Sequence, residues 1–300
     1  MLATTSDNKS KAVLFGAGKA GLAAKHNLAE QFQFIAFCDN DKSKVGQVID
    51  GLPVVSPDDL GSMKYDRVLI ASEFAEQIKE QLMSTHQIAA ELIESVKWTD
   101  LKEVTLGQDA ETEQFAVYLL KRVCKRLSEL EIAYYVDAGT LLGIYRDNRL
   151  IPWDDDLDIA IDANYLAETV DAVERLLADL QYTTSEPWQL HQQTSSTQFG
   201  NVPKGAVRAL KLCPKDADSK LPMMDIFVKY SDGEWMDYCL ASRGIRMPSH
   251  HLQTLGSIEF AGQQLNIPGR VEDYLERHYG DWRTPKKDWG LGDLTNATVF

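Results

Sequence analysis

The stretch that most constrains this chain is Pro152-Trp153-Asp154-Asp155-Asp156-Leu157-Asp158-Ile159. Read with period two, Leu157, Ile159 and Ile161 fall on one face of a strand, and Asp156, Asp158 and Asp162 fall on the other. Such a strand must cover a core with one face and border an open site with the other. Carboxylates on alternate residues sit close enough to share a hard cation, and without one their repulsion costs stability. Most short acidic runs are solvated turns, which is an adequate account of Asp154 and Asp155. Asp158 is different, because a carboxylate inside an apolar strand needs a partner. Mg2+ or Mn2+ is the natural one.

Just upstream stands Asp137-Ala138-Gly139-Thr140-Leu141-Leu142-Gly143-Ile144-Tyr145-Arg146. Gly139 and Thr140 open a predicted helix, whose free N–H groups and positive dipole end suit an anion such as phosphate. Arg146, two turns on, has either a phosphate or a nearby acid as its partner. Arg208 and Lys211, in an otherwise apolar predicted strand, divide in the same way between phosphate contact and a structural salt bridge.

The chain is expected to form two domains, 1–98 and 111–300, joined by a linker at 99–110. In the first, apolar strands at 12–15, 34–38 and 67–71 alternate with helices at 22–30 and 76–83, the habit of a parallel α/β sheet. Gly16-Ala17-Gly18-Lys19-Ala20-Gly21 follows the first strand, and Asp39 closes the second, as in a dinucleotide-binding turn. Gly16, Gly18, Gly21 and Asp39 are therefore candidates for holding a nucleotide of unspecified identity, against the alternative of a turn kept for structure alone. The second domain reads as α+β. An amphipathic helix at 113–130 leads to strands at 132–136, 156–161, 206–212 and 223–228 and a helix at 165–180.

A formal net charge of −14 leaves no basic surplus for nucleic acid or anionic membrane. The polar first ten residues suggest no secretion leader and no apolar run reaches bilayer length, so a cytoplasmic protein, at most peripheral to the inner face of the membrane, is expected. Cys38, Cys124, Cys213 and Cys239 lie far apart and read as reduced core thiols. His250-His251 is read as a loop rather than a metal site, since adjacent histidines point apart on a strand and rarely chelate together, and Tyr279 and Trp282 are read as packing residues.

Gly139-Thr140-Leu141-Leu142-Gly143, Arg146, the acidic strand, Met224-Asp225-Ile226-Phe227 and Tyr279-Gly280-Asp281-Trp282 with Pro285 together closely resemble the LicD family of phosphotransferases. That resemblance covers nearly all of 111–300. It implies a nucleotidyltransferase-like fold that moves a substituted phosphate from a CDP-linked donor to a sugar hydroxyl of a cell-surface glycan, such as capsule, releasing CMP. By position it makes Asp156 and Asp158 the central metal ligands and Asp154 a third. Asp225 is then an additional acid, for metal binding or for activating the acceptor. The first domain resembles the Rossmann-like nucleotide-binding module of bacterial sugar acyltransferases and capsule-assembly enzymes. The competing functions are an NAD-dependent sugar-modifying oxidoreductase centred on the glycine loop and a scaffold without chemistry.

Overall fold

The computed structural model describes residues 9–72, 74–102, 104–216, 219–240 and 243–299. Most of the polar N-terminal stretch, Glu103 of the expected linker and Phe300 lie outside the described residues. The chain divides into two compact units, one of residues 1–103 with 288–291 and the other of 104–287 with 292–300. Among the described residues no helix is long and apolar enough to cross a membrane.

The first unit runs β1 (Ser10–Phe15), α1 (Lys19–Asn27), β2 (Phe32–Cys38), β3 (Val48–Ile49), β4 (Leu52–Val55), β5 (Arg67–Ile70), α2 (Ala75–Ser84) and β6 (Ile93–Ser95). The strands line up β3-β4-β2-β1-β5-β6. All the pairings are parallel except the short β3–β4 hairpin. Successive residues of β1 serve opposite layers: Ala12 and Leu14 pack with Ala24 of α1 and Leu28 just past its end, while Val13 and Phe15 pack with Ile78 and Leu82 of α2. Both faces are thus covered, which is why these strands read as unbroken apolar runs rather than alternations. The β3–β4 hairpin at the edge escaped the sequence reading, being two to four residues long and carrying Pro53, which edge strands tolerate.

Much of the stretch between the predicted domains is docked. Asn27 Nδ2 donates to the carbonyls of Asp100 and Lys102, tying that part to the first unit. Leu106 is buried in the second unit, where its N–H donates to the Asp154 carbonyl at 2.7 Å and Gly107 N–H to Pro152 at 2.9 Å. An apolar Leu106 gains more from that burial than from solvent, and the result pins the acidic loop.

The second unit opens with α3 (Ala110–Glu129), capped by the Asp109 carboxylate accepting from Thr112 N–H. Leu119, Val123 and Leu127 are buried at helical spacing, whereas Leu130 is exposed. There follow β7 (Tyr134–Val136), α4 (Ala138–Asp147), β8 (Asp156–Asp162), α5 (Leu166–Glu174), α6 (Leu177–Thr184), β9 (Trp188–Thr194), β10 (Val207–Pro214) and β11 (Met223–Ser231). The expected single helix at 165–180 is therefore two. The rest is β12 (Trp235–Leu240), β13 (Arg243–Pro248), α7 (His250–Gln253), β14 (Gly256–Phe260), β15 (Gln263–Ile267), α8 (Val271–Tyr279) and β16 (Ala297–Val299). The main sheet follows β16-β13-β12-β11-β10-β9, with β8 beside β11 and β7 beside β8. Only β8 and β11 are parallel within it among the described pairings. Their apolar faces coincide, with Leu157 against Met224, Ile159 against Ile226 and Ile161 against Val228, all buried.

Candidate active site

The register that aligns the apolar faces also aligns the acids. Asp158 lies opposite Asp225 across the β8–β11 pair, and Asp225 lies opposite Lys211 across β11–β10. Directly paired residues share a face, so Asp158, Asp225 and Lys211 form one row, with Asp156 one pleat along. Lys211 Nζ stands 3.4 Å from Asp225 Oδ1.

The helix α4 closes this face. Asp137, its N-cap, donates its N–H to the Asp158 carbonyl at 3.0 Å, and Asp158 N–H donates to Thr140 Oγ1 at 2.8 Å. The helix start is thereby stitched to the acidic strand. A Cβ on Gly139 would stand 2.0 Å from Asp154 Oδ2 and 3.8 Å from Asp158 Oδ2. Only glycine lets these carboxylates approach the helix terminus so closely, and the positive end of the helix favours them there. Ala138 just before it has φ +42, an unusual value for a non-glycine residue.

Asp154, Asp155 and Asp156 each offer a carboxylate oxygen, all within 4.8 Å of one another. Burial and the neighbouring charges of Asp155, Asp158 and Asp225 push Asp156 well above the ordinary carboxylate range. Burial and the charges of Asp154, Asp225 and Asp137 do the same to Asp158. Burial also raises Asp225, against the opposing pull of Lys211. Asp154, Asp155 and Asp156 offer a crowded set of oxygen donors of the kind that suits a hard divalent cation such as Mg2+, with Asp158 one pleat from Asp156. Asp155, which strand alternation leaves without a role, thus sits with Asp154 and Asp156.

Beneath α4 lies a buried polar network that sequence reasoning missed. Asp137 and Lys229 are both essentially inaccessible and 2.7 Å apart. Tyr274 Oη donates to Asp137 Oδ1 at 2.5 Å, and the Lys229 ammonium sits 3.0 Å from the ring centroid of Tyr238. Burial pulls Lys229 down to about 8 despite the attraction of Asp137. Burial would raise Asp137, but Lys229, His278 and Tyr274 hold it below the ordinary range. The only available signal was a lysine inside the apolar run of 223–231.

Several candidates have other duties. Thr140, expected to face phosphate, is buried and its hydroxyl accepts from β8, so it braces the strand instead. Arg146 is also turned inward: Nε and Nη2 donate to Asp147 Oδ2 and Nη1 to the Trp282 carbonyl, so an acid and a carbonyl take the place of phosphate. Lys211 pairs with Asp225 and so stands at the acidic row, and the charge of Arg208 also acts on Asp225. Trp282 packs on Tyr145 with ring centroids 5.6 Å apart. Tyr279 lies close enough to Asp158 and Asp154 for burial and their charges, with that of Asp137, to push its phenol far up. The histidine pair departs from expectation: it opens the short helix α7, and the two rings lie 4.1 Å apart rather than pointing apart.

In the first unit Gly16 has φ +116, and a Cβ on Gly21 would stand 1.8 Å from the Gly16 carbonyl oxygen, so the turn and helix can meet only through glycines. Gly18 has open space around it. The Asp39 carboxylate accepts from Ala17 N–H at 2.9 Å and pairs with Lys44 at 2.9 Å. The acid expected at a ribose is thus already bound to the loop it follows.

Residues 131–270, which contain the row, the helix start and the acidic loop, match the family described as LicD/FKTN/FKRP, nucleotidyltransferase domain. They form a LicD-family domain. Residues 8–93 match the family described as C2185-like, N-terminal. Human ribitol-5-phosphate transferase FKTN is 26% identical over 174 residues, 57% of this chain and 34% of FKTN. Mouse ribitol 5-phosphate transferase FKRP is 25% identical over 149 residues, 50% of this chain and 28% of FKRP. The uncharacterized protein RP689 of Rickettsia prowazekii is 26% identical over 172 residues, 55% of this chain and 53% of RP689. The chain therefore spans about a third of the length of FKTN. Among solved structures, UDP-D-quinovosamine 4-dehydrogenase from Vibrio fischeri is 28% identical over 29% of this chain and 75% of that one, with a TM-score of 0.23.

Proposed function

We propose that the LicD domain transfers a substituted phosphate, such as a polyol phosphate or phosphocholine, from a CDP-linked donor to a sugar hydroxyl of a glycan, releasing CMP. The observation that carries this reading is the clustering of the Asp154, Asp155 and Asp156 carboxylates, with Asp154 and Asp158 against the glycine start of α4 and Asp225 and Lys211 in one row with Asp158. Such a cluster suits a divalent cation, and it is set beside a helix end suited to phosphate. The relatives' names, ribitol-5-phosphate transferases, give a transferred group of the same class, a polyol phosphate.

Mg2+ or Mn2+, when bound, supplies charge neutralisation on the donor's phosphate oxygens. The chain's own part is positional. Asp154, Asp155, Asp156 and Asp158 hold the cation, and the N-terminal end of α4 orients the diphosphate. Lys211 and Arg208 add positive charge where phosphate negative charge accumulates. Asp225 is offset from the three-carboxylate cluster and tied to Lys211, so it is assigned to take the proton of the attacking hydroxyl, a task helped by its raised proton affinity. The glycine loop of the first unit is assigned to a nucleotide, approached at the open Gly18.

The test is CMP release from CDP-ribitol, CDP-glycerol and CDP-choline with Mg2+ and a panel of sugar acceptors. Release that needs the cation and is lost in Asp158→Asn supports the assignment. If every donor stays intact in both proteins while either unit reduces a nicotinamide cofactor with a sugar, the oxidoreductase reading replaces it.

A further inference from the structure

Away from the acidic row, the loop before α8 approaches α7 closely. Gly269 N–H donates to the His251 carbonyl at 3.0 Å, and a Cβ on Gly269 would stand 2.0 Å from the Thr254 carbonyl oxygen. This approach sets the Gly269 carbonyl oxygen 2.5 Å from His251 Nδ1. A carbonyl only accepts, so Nδ1 carries a proton, and in a neutral ring Nε2 is then a bare lone pair.

That lone pair is badly placed for a protein with nothing beside it. His251 is wholly buried, its Nε2 has no hydrogen-bond partner among the described residues, and Asp273 Oδ2 lies 3.3 Å away, within ion-pair range but off the line of a hydrogen bond. His250 Nε2, also without a hydrogen-bond partner, stands 3.9 Å from the same oxygen. Three ligand atoms thus lie within 4.8 Å of one another. The two imidazole nitrogens thus face a carboxylate oxygen to which neither is hydrogen-bonded.

We propose that His250, His251 and Asp273 form a transition-metal site, with Zn2+ as the fitting ion, separate from the acidic site for Mg2+. Two imidazoles and a carboxylate are borderline ligands that suit zinc rather than magnesium. Bonds of roughly 2.0–2.1 Å around a tetrahedral ion put neighbouring ligand atoms about 3.3–3.4 Å apart, close to the His251–Asp273 spacing. The Nδ1–H to carbonyl bond of His251 is the outer support that metal-bound histidines commonly carry. Arg277 Nε also donates to Asp273 Oδ2 at 2.9 Å, so the carboxylate would be shared between arginine and metal.

The site would clamp α7 to α8. Tyr274, next to Asp273, meets the His251 ring edge-on at 5.3 Å and donates to Asp137 at the cap of α4. The clamp therefore positions the residue that holds the start of the phosphate-facing helix.

The test uses the full chain carrying Asp156→Asn and Asp158→Asn, which weakens the acidic site, and measures Zn2+ binding calorimetrically and Co2+ binding by its visible ligand-field absorption. One equivalent of each is expected, with Co2+ bands of a low-coordinate site and a Tm raised by Zn2+. Adding His250→Ala or Asp273→Asn, at partly exposed positions, should weaken binding at least about tenfold and remove the Tm gain, with unchanged far-UV circular dichroism. No uptake of Zn2+ by the double variant, or uptake unaltered by both further substitutions, overturns the proposal.

Discussion

Two helix starts in this protein carry a glycine beside the acids of a neighbouring strand, and the acids are treated in opposite ways. In the first unit Asp39 is satisfied: the Ala17 N–H and Lys44 hold its carboxylate, and with Asp41 N–H they keep it below its ordinary range although burial works against them. In the second unit Asp156 and Asp158 are pushed far the other way by burial and by each other's company. A satisfied acid contributes stability and leaves little for a ligand to add. A frustrated pair costs stability until a cation arrives, which is the sense in which binding sites are locally unstable.

The largest effect expected from breaking this contrast is at Asp158. Asp158→Asn removes a central charge of the acidic site, and CMP release should fall by about 10²-fold or more. The same change should raise the Tm of the metal-free protein at pH 7. In the native chain the folded state retains protons that unfolded carboxylates release near pH 4, so stability falls as pH rises above about 4 through the raised pKa. The asparagine variant should show a shallower fall in a Tm–pH series without metal. Equal slopes in the two proteins would mean that the carboxylates are not frustrated.

A steric version of the break comes next. Gly139→Ala would force the Asp154 carboxylate away from the helix start, and should reduce CMP release and Mg2+ affinity together. Gly21→Ala in the first unit meets backbone rather than a side chain, so it should lower stability by about 1–3 kcal/mol in denaturant unfolding while leaving the chemistry of the LicD domain unchanged.

Away from both glycines, His278 sharpens the role of the buried network under α4. Burial lowers it to about 4, so it is neutral in the fold while an unfolded histidine binds a proton below about 6.5. The unfolded chain therefore holds more protons between those values, and stability should be lost as pH falls from about 6.5 to 4, by an amount on the order of 3 kcal/mol. A denaturant midpoint whose pH dependence over that window is the same in the native protein and in His278→Gln would show that His278 titrates normally.

What the sequence disclosed follows from which signals are local. The alternation of 156–162 and the glycine helix start are written in consecutive residues, and both elements formed where they were read. The apolar strands of the first unit were equally plain because burial on both faces leaves no polar interruption. Partnerships across sequence distance were not legible. Nothing in the residues around Lys229 says that it pairs with Asp137, that Thr140 will accept from Asp158, or that Arg146 will turn to Asp147 and Trp282. Asp155 was hidden for a related reason: it precedes the strand, so alternation does not apply, and only the loop pinned by Leu106 and Gly107 brings it to its neighbours.

The smallest effect is the most discriminating for the first unit. Gly18 caps α1 with open space around it, so Gly18→Ala should change stability by no more than about 0.5 kcal/mol. The added methyl would nevertheless stand where a phosphate must come against the backbone N–H groups. If the loop serves a nucleotide, the variant should keep its Tm yet lose the Tm gain that NAD or another nucleotide gives the native chain. If the loop is kept for structure alone, the native chain shows no such gain, and Gly18→Ala and native protein remain indistinguishable. The two glycine-started helices would then differ in kind, with the first a packing device and the second the place where charge is held unsatisfied for a ligand.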